Sequence, residues 1–216
     1  MIYNNSYTVI LDDLSEYIST NYESLLKEDM LQLEYKNYII DVGFYAKEFI
    51  LYIIKDHNWN IPIRKEQIHE NDIISKINKT CIEVLSMNLQ ELIPENKFDI
   101  EAVRRLSENN TGQIASIALP LLEWIADMNW PVASELIHVL PRFHKELLPS
   151  IRCILIDQKK DLIWKYWIIT RLLIQFPKES QLELLPIIER LAELTPKNED
   201  EIELKEGALN FLENIK

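Results

Sequence analysis

The sequence predicts a mainly α protein in two parts, a small α+β unit over residues 1–88 and an all-α helical repeat unit over residues 89–216. Three observations carry this expectation. β-Branched and aromatic runs of strand length crowd into residues 31–63, and no comparable run follows Asn88. From about residue 100 onward, apolar residues instead recur at helical spacing. Within that second part a leucine–proline step recurs three times, each followed by apolar residues at fixed offsets.

In the first part, Tyr7–Leu26 carries Ile10, Leu14, Tyr17, Ile18, Tyr22 and Leu25 near helical spacing and is expected as a helix. Strand chemistry follows in Leu31–Lys36, Tyr38–Tyr45, Glu48–Lys55 and Trp59–Ile63. Gly43–Lys47 supplies one expected turn. Asp56–Asn58 supplies the next, because Asp and Asn side chains bond their own backbone in tight reversals. Pro62 cannot donate to a ladder, which places the last run at an edge. Asp72–Leu85 then repeats the helical pattern through Ile73, Ile77, Cys81 and Val84, with Asp72 as its N-cap. The unit is expected as helix, three-stranded antiparallel sheet, helix.

In the second part, helices are expected near 100–108, 112–127, 131–143, 145–156, 161–176, 180–194 and 200–215. Pro131, Pro177 and Pro196 fall in the connectors. The recurring steps begin at Leu119-Pro, Leu148-Pro and Leu185-Pro, spaced as one helix–turn–helix unit each. Antiparallel helix pairs repeated in this way form an α-solenoid.

Composition narrows the function classes. Only Gly43, Gly112 and Gly207 occur among 216 residues, where about 7 percent glycine is average, so phosphate-cradling glycine loops are excluded. The formal charge of −12 repels phosphate backbones and argues against a nucleic-acid partner; the acid excess is six in each part. A basic protein partner suits that field. No apolar run reaches the ~18 residues of a membrane span, and Met1–Lys27 lacks the pattern of a secretory leader, so a cytoplasmic protein with no membrane partner is expected. Cys81 and Cys153 form no metal-ligand pattern and are expected as reduced, buried thiols. His57, His69, His138 and His144 make no HExxH motif, so neither a metal nor a cofactor is expected.

The densest chemistry lies in the aromatic cluster of Trp124, Trp130, Trp164, Tyr166 and Trp167. Large aromatics fill the space between stacked helices, and Trp with Arg also anchors binding hot spots. Arg171 follows Trp167 at i+4, where a guanidinium can lie over the indole. Glu123 and Asp127 are spaced to put two carboxylates on one helix face, while Asp127, Asn129 and Pro131 also have the chemistry of a helix–helix turn. Asp161 and Lys165 are spaced as an i,i+4 ion pair. No Ser/His/Asp or Cys/His grouping has a context that would orient it, so no catalytic residue is assigned. The candidate partner-binding residues are Trp124, Asp127, Asn129, Trp130, Trp164, Lys165 and Trp167.

Four blocks of the second part carry a family resemblance: Leu92–Asp99, Leu121–Val132, Asp161–Ile168 and Ile188–Pro196. Through them, residues 89–212 resemble the domain of unknown function 5071 family. The resemblance implies an all-helical, HEAT-like unit and brings no functional residue with it. The runs Tyr38–Tyr45 and Ile54–Ile63 are loosely similar to the small α+β immunity proteins that neutralise bacterial toxins. Together these readings lead to a non-catalytic protein-interaction protein, in its most concrete form an immunity-type inhibitor whose acidic surface covers a basic toxin. The alternatives are a HEAT-like DNA-repair enzyme acting on alkylated bases, which needs a basic groove, and a structural adaptor.

Overall fold

Strand chemistry begins earlier in the chain than the helical spacing of residues 7–26 suggests. In the computed structural model, which describes residues 6–109 and 112–215, Thr8–Asp12 forms a strand (β1) and only Leu14–Thr20 is α-helical (α1), followed by a 3-10 turn at Glu23–Leu25. The β-branched Thr8, Val9 and Ile10 are stiff at χ1 and suit a pleated surface, and β1 finds an antiparallel partner in Leu31–Tyr35 (β2). Helix α1 stops at Asn21, whose left-handed backbone (φ 55°) directs its N–H to the Tyr17 carbonyl at 2.7 Å.

The sheet has five strands, not three. Tyr38–Tyr45 (β3), Glu48–Lys55 (β4) and Arg64–Ile68 (β5) follow β2, all antiparallel and in chain order. Trp59–Ile63 is a loop instead of the expected edge strand, with Ile61 74% exposed. Pro62 has no N–H to give, and pairing resumes only when the Ile63 N–H reaches the Ile53 carbonyl at 2.8 Å. The true edge strand, Arg64-Lys-Glu-Gln-Ile, hides behind its charges, which is how exposed edges avoid pairing with other chains. Left-handed residues make the reversals without glycine: Ala46 and Lys47 between β3 and β4, Asp56 and His57 after β4.

Gly43 belongs to β3 and not to the turn. A Cβ there would lie 1.6 Å from the Glu28 carbonyl oxygen, so the close approach of that backbone demands glycine. Ile73–Gln90 (α2) covers one face of the sheet. Ile73, Ile77, Cys81 and Val84 pack into one cluster with Leu33, Ile40, Leu51 and Ile53. The Tyr7 hydroxyl donates to the Cys81 carbonyl at 2.7 Å and ties the start of β1 to this helix.

Asp41 is the unusual residue of the sheet, fully buried in β3. Its Oδ1 accepts from Gln32 Nε2 at 3.0 Å, and its Oδ2 accepts nothing from any described residue. Desolvation raises its pKa to about 6, the Asp29 charge adds to the rise, and the Gln32 bond opposes it. The folded-state value lies above the unfolded one, so the native state binds more protons and stability falls as pH rises from about 4 through 6. Asp41→Asn retains the acceptor for Gln32 and removes the charge. Urea unfolding is expected to show a gain of about 1–2 kcal/mol at neutral pH, shrinking toward zero near pH 4. A gain independent of pH would contradict this account.

By the clustering of its contacts the chain divides into two compact units, Met1–Asn88 and Leu89–Lys216. The second is built from Ile100–Glu108 (α3), Ala118–Glu123 (α4), Pro131–Val139 (α5), His144–Ile156 (α6), Leu162–Trp167 (α7), Lys178–Leu182 (α8), Leu185–Ala192 (α9) and Glu199–Ile215 (α10). Asp99 caps α3 by accepting from the Ala102 N–H at 3.1 Å, and Pro131 occupies the first turn of α5. The longer helices expected over 112–127, 161–176 and 180–194 are broken. The first begins as a 3-10 turn at Gly112–Ile117, and the second passes from α7 through a π-helical turn at Ile168–Leu172 into a 3-10 turn at Leu173–Gln175. Pro120 and Pro186 remove backbone donors near the starts of α4 and α9, which accounts for two of the breaks. The three Leu-Pro steps therefore occupy unlike places, since Pro149 lies inside α6.

One core cluster runs through this unit, including Leu106, Leu121, Leu136, Ile151, Leu172 and Phe211. Helix α10 lies close against α7 and the π turn: a Cβ on Gly207 would sit 2.8 Å from Thr170 Cγ2 and 2.9 Å from Tyr166 Cδ2. Cys81 is buried as expected, but Cys153 is exposed. Its position on α6 falls off the stripe of Leu147, Leu148, Ile151, Ile154 and Leu155 that enters the core.

Candidate functional site

The seven candidate residues do not form one surface. Trp164 is 5% exposed, and its indole Nε1 donates to the Leu122 carbonyl at 3.0 Å, fastening α7 to α4. Lys165 is 3% exposed. Its ammonium donates to the Asp157 carbonyl at 2.6 Å, while the Asp161 carboxylate accepts from the Trp164 N–H at 2.8 Å and caps α7. The expected Asp161–Lys165 pair is thus replaced by a cap and a separate lysine–carbonyl bond, because a cap needs its carboxylate at the helix start. Burial pushes the Lys165 pKa down, and the Asp157 charge partly offsets this. Both residues leave the candidate contact surface, since neither side chain reaches it.

Trp124 and Trp130 meet edge to face at 5.5 Å and are half-buried against the core. Between them, Asp127 Oδ1 accepts from the backbone and side-chain N–H groups of Asn129 at 2.9 and 3.0 Å, and the Asp127 carbonyl accepts from the Trp130 N–H. Asp127 is therefore a turn residue. Helix α4 ends at Glu123, so Glu123 and Asp127 do not share a helix face.

Trp167 stands differently. It is half-buried at the end of α7, with Tyr166 edge-on at 4.9 Å and the Arg171 guanidinium 5.7 Å from its ring centroid. Together with Asn129, Ser134, His138 and Ile174 these two line an open groove of about 480 Å³. No carboxylate lines it, and among the described residues Arg171 makes no ion pair. Ser134 and His138 lie one turn apart on α5, and no hydrogen bond joins them among the described residues. The groove offers an aromatic wall, a cation held over it and an exposed apolar edge at Ile174, which is 53% exposed. Such a set grips a side chain by contact and charge.

Of the predicted residues, Asn129 and Trp167 reach this groove. Sequence reasoning paired Arg171 with Trp167 but left out Ile174, although Trp167, Arg171 and Ile174 recur at i, i+4 and i+7, a mixed stripe that core packing alone does not require. His138 had no such signal, because α5 brings it to the groove only through tertiary packing. A separate surface lies on α10, where Glu199, Asp200, Glu203 and Glu206 are exposed beside Ile202 and Leu209. Among the described residues, no three His, Cys, Asp or Glu side chains gather as metal ligands, and no helix is long and apolar enough to cross a membrane.

The fold and site define an α+β protein, mainly α, whose helical unit carries an aromatic, cation-bearing groove. The chain belongs to the family described as domain of unknown function DUF5071, whose model matches residues 92–212 and so takes in all seven candidate residues. No curated protein matches the chain.

Proposed function

We propose that the protein is a non-catalytic binding protein that holds a protein partner through the Trp167–Arg171 groove. The observation that carries this reading is a half-buried tryptophan with an arginine over its ring that, among the described residues, makes no ion pair, in a groove where no described carboxylate lines the wall. Trp and Arg are the residue types that most often dominate interface energetics. The net charge of −12 and the exposed acids of α10 favour a basic partner, which the field would steer into contact from solution. In its most concrete form the partner is a basic toxin enzyme and the protein its cytoplasmic inhibitor, a form supported by charge and by the loose likeness of residues 38–63 to immunity proteins. We further infer that the helices of residues 89–216 stack in HEAT-like fashion, which the packing of α10 on both α7 and α9 supports.

The DNA-repair alternative needs a free carboxylate beside its aromatics and a basic groove. Asp127 is committed to its turn and the helical unit carries an excess of acids, so the binding reading is preferred. A pull-down from native lysate at low salt, repeated with Trp167→Ala, tests the proposal. The partner recovered by the wild type is expected to bind the variant roughly 30-fold more weakly, the loss typical of one hot-spot aromatic. Full retention by Trp167→Ala and Arg171→Ala alike would refute the groove as the contact.

A further inference from the structure

A second cavity in the helical unit, of about 580 Å³, shares no lining residue with the Trp167–Arg171 groove and has a different chemistry. Its size lies within the roughly 300–1,000 Å³ range of small-molecule sites. Leu155, Leu162, Ile187, Leu191 and Leu204 form apolar walls, and no aromatic ring lines it. Around them stand three cations, Lys165, Arg190 and Lys197, none in an ion pair among the described residues. The one carboxylate, Glu201, is occupied: its Oε2 accepts the Lys197 backbone N–H at 2.6 Å, and its own N–H bonds Asn198 Oδ1 at 2.8 Å, closing the first turn of α10. In a chain of net charge −12, this hollow concentrates positive charge over an aliphatic floor.

We infer that the cavity binds a small aliphatic anion, a hydrocarbon chain ending in a carboxylate, with the chain against the leucine walls and the carboxylate at Lys165, Arg190 and Lys197. Lys165 is the residue that makes this more than a charged rim. An ammonium has three donors, and this one, 3% exposed, gives one to the Asp157 carbonyl. A carboxylate arriving there would take up a remaining donor and supply the countercharge that burial denies. The depressed pKa of Lys165 agrees with an ammonium short of countercharge. Walls made of leucine and isoleucine, without a ring to stack on, favour a flexible alkyl chain over a nucleotide or a planar ligand.

Titration calorimetry of the full chain with decanoate, and with decanol as the neutral control, tests the inference. Decanoate is expected to bind saturably with one molecule per chain and decanol about tenfold more weakly, as a single charge-assisted hydrogen bond warrants. Lys165→Met is expected to weaken decanoate about tenfold while leaving decanol nearly unchanged. Should that variant fail to fold, Arg190→Gln combined with Lys197→Gln, both exposed positions, is expected to weaken decanoate several-fold. Vesicles of phosphatidylglycerol separate a free carboxylate from an acyl lipid: binding to vesicles without binding to decanoate overturns the inference. So does the absence of saturable decanoate binding, equal affinity for decanol, or decanoate affinity unchanged in every folded variant.

Discussion

Replacing Trp164 with alanine is expected to lower the unfolding free energy by about 3–5 kcal/mol, the range for large-to-small changes at buried aromatics. Trp164 is 5% exposed and sits within the core cluster of the helical unit, so its removal leaves a cavity that the surrounding helices cannot fully close. The indole N–H also bonds the Leu122 carbonyl at 3.0 Å. Trp164→Phe keeps most of the buried area and removes one of the bonds to a carbonyl that still accepts from the Ile125 N–H at 3.2 Å, so it should cost only about 0.5–1.5 kcal/mol. Denaturant unfolding of the full chain, followed by far-ultraviolet circular dichroism, measures both. A loss below about 1 kcal/mol for the alanine variant would mean that the indole is not packed as described and belongs among surface anchors after all.

The second large effect is expected at Gly43. A methyl group there would meet the Glu28 carbonyl oxygen at 1.6 Å, the Glu28 carbonyl carbon at 2.6 Å and Tyr45 Cε2 at 2.7 Å. Two of these three atoms are backbone, so no rotamer change relieves the clash. The segment around Glu28 must move away, which breaks the bonds from the Phe44 N–H to the Lys27 carbonyl (2.8 Å) and from the Met30 N–H to the Val42 carbonyl (3.1 Å). Gly43→Ala is expected to cost roughly 3 kcal/mol or more, combining overpacking with lost backbone bonds. Ala46, in the neighbouring turn with φ 50°, supplies the contrast. Ala46→Gly should be neutral or stabilising, since glycine adopts that conformation freely. Equal losses at the two positions would show that the sheet tolerates no change at that end and would remove the specific role of the Glu28 approach.

The two variants separate what a local pattern can reveal from what it cannot. Leu31–Tyr35, Tyr38–Tyr45 and Glu48–Lys55 are strands because β-branched and aromatic residues fill them, and the strand reading of these runs needs no partner. β1 and β5 escaped that reading for opposite reasons. The apolar residues of β1 also fit a helical period, and β5 carries the charges of an exposed edge. In the helical unit, Pro131 and Asp99 marked helix starts by their own chemistry, whereas the π turn after α7 has no local signature.

The candidate site divides along the same line. Sequence alone determined the α+β and mainly helical character, the acidic charge, the family resemblance over residues 89–212, the turn chemistry of Asp127–Asn129 and the approach of Arg171 to Trp167, because each depends on residue type or spacing within a few positions. Tertiary structure alone decided that Trp164 and Lys165 turn inward while Trp167 stays at the surface, that His138 joins the groove, and that Lys165, Arg190 and Lys197 line one leucine-walled cavity. The two tryptophans of α7 stand three positions apart, and both are equally apolar and aromatic. Which one is buried depends on where α4 and α10 present their surfaces, and that is a property of the packed unit.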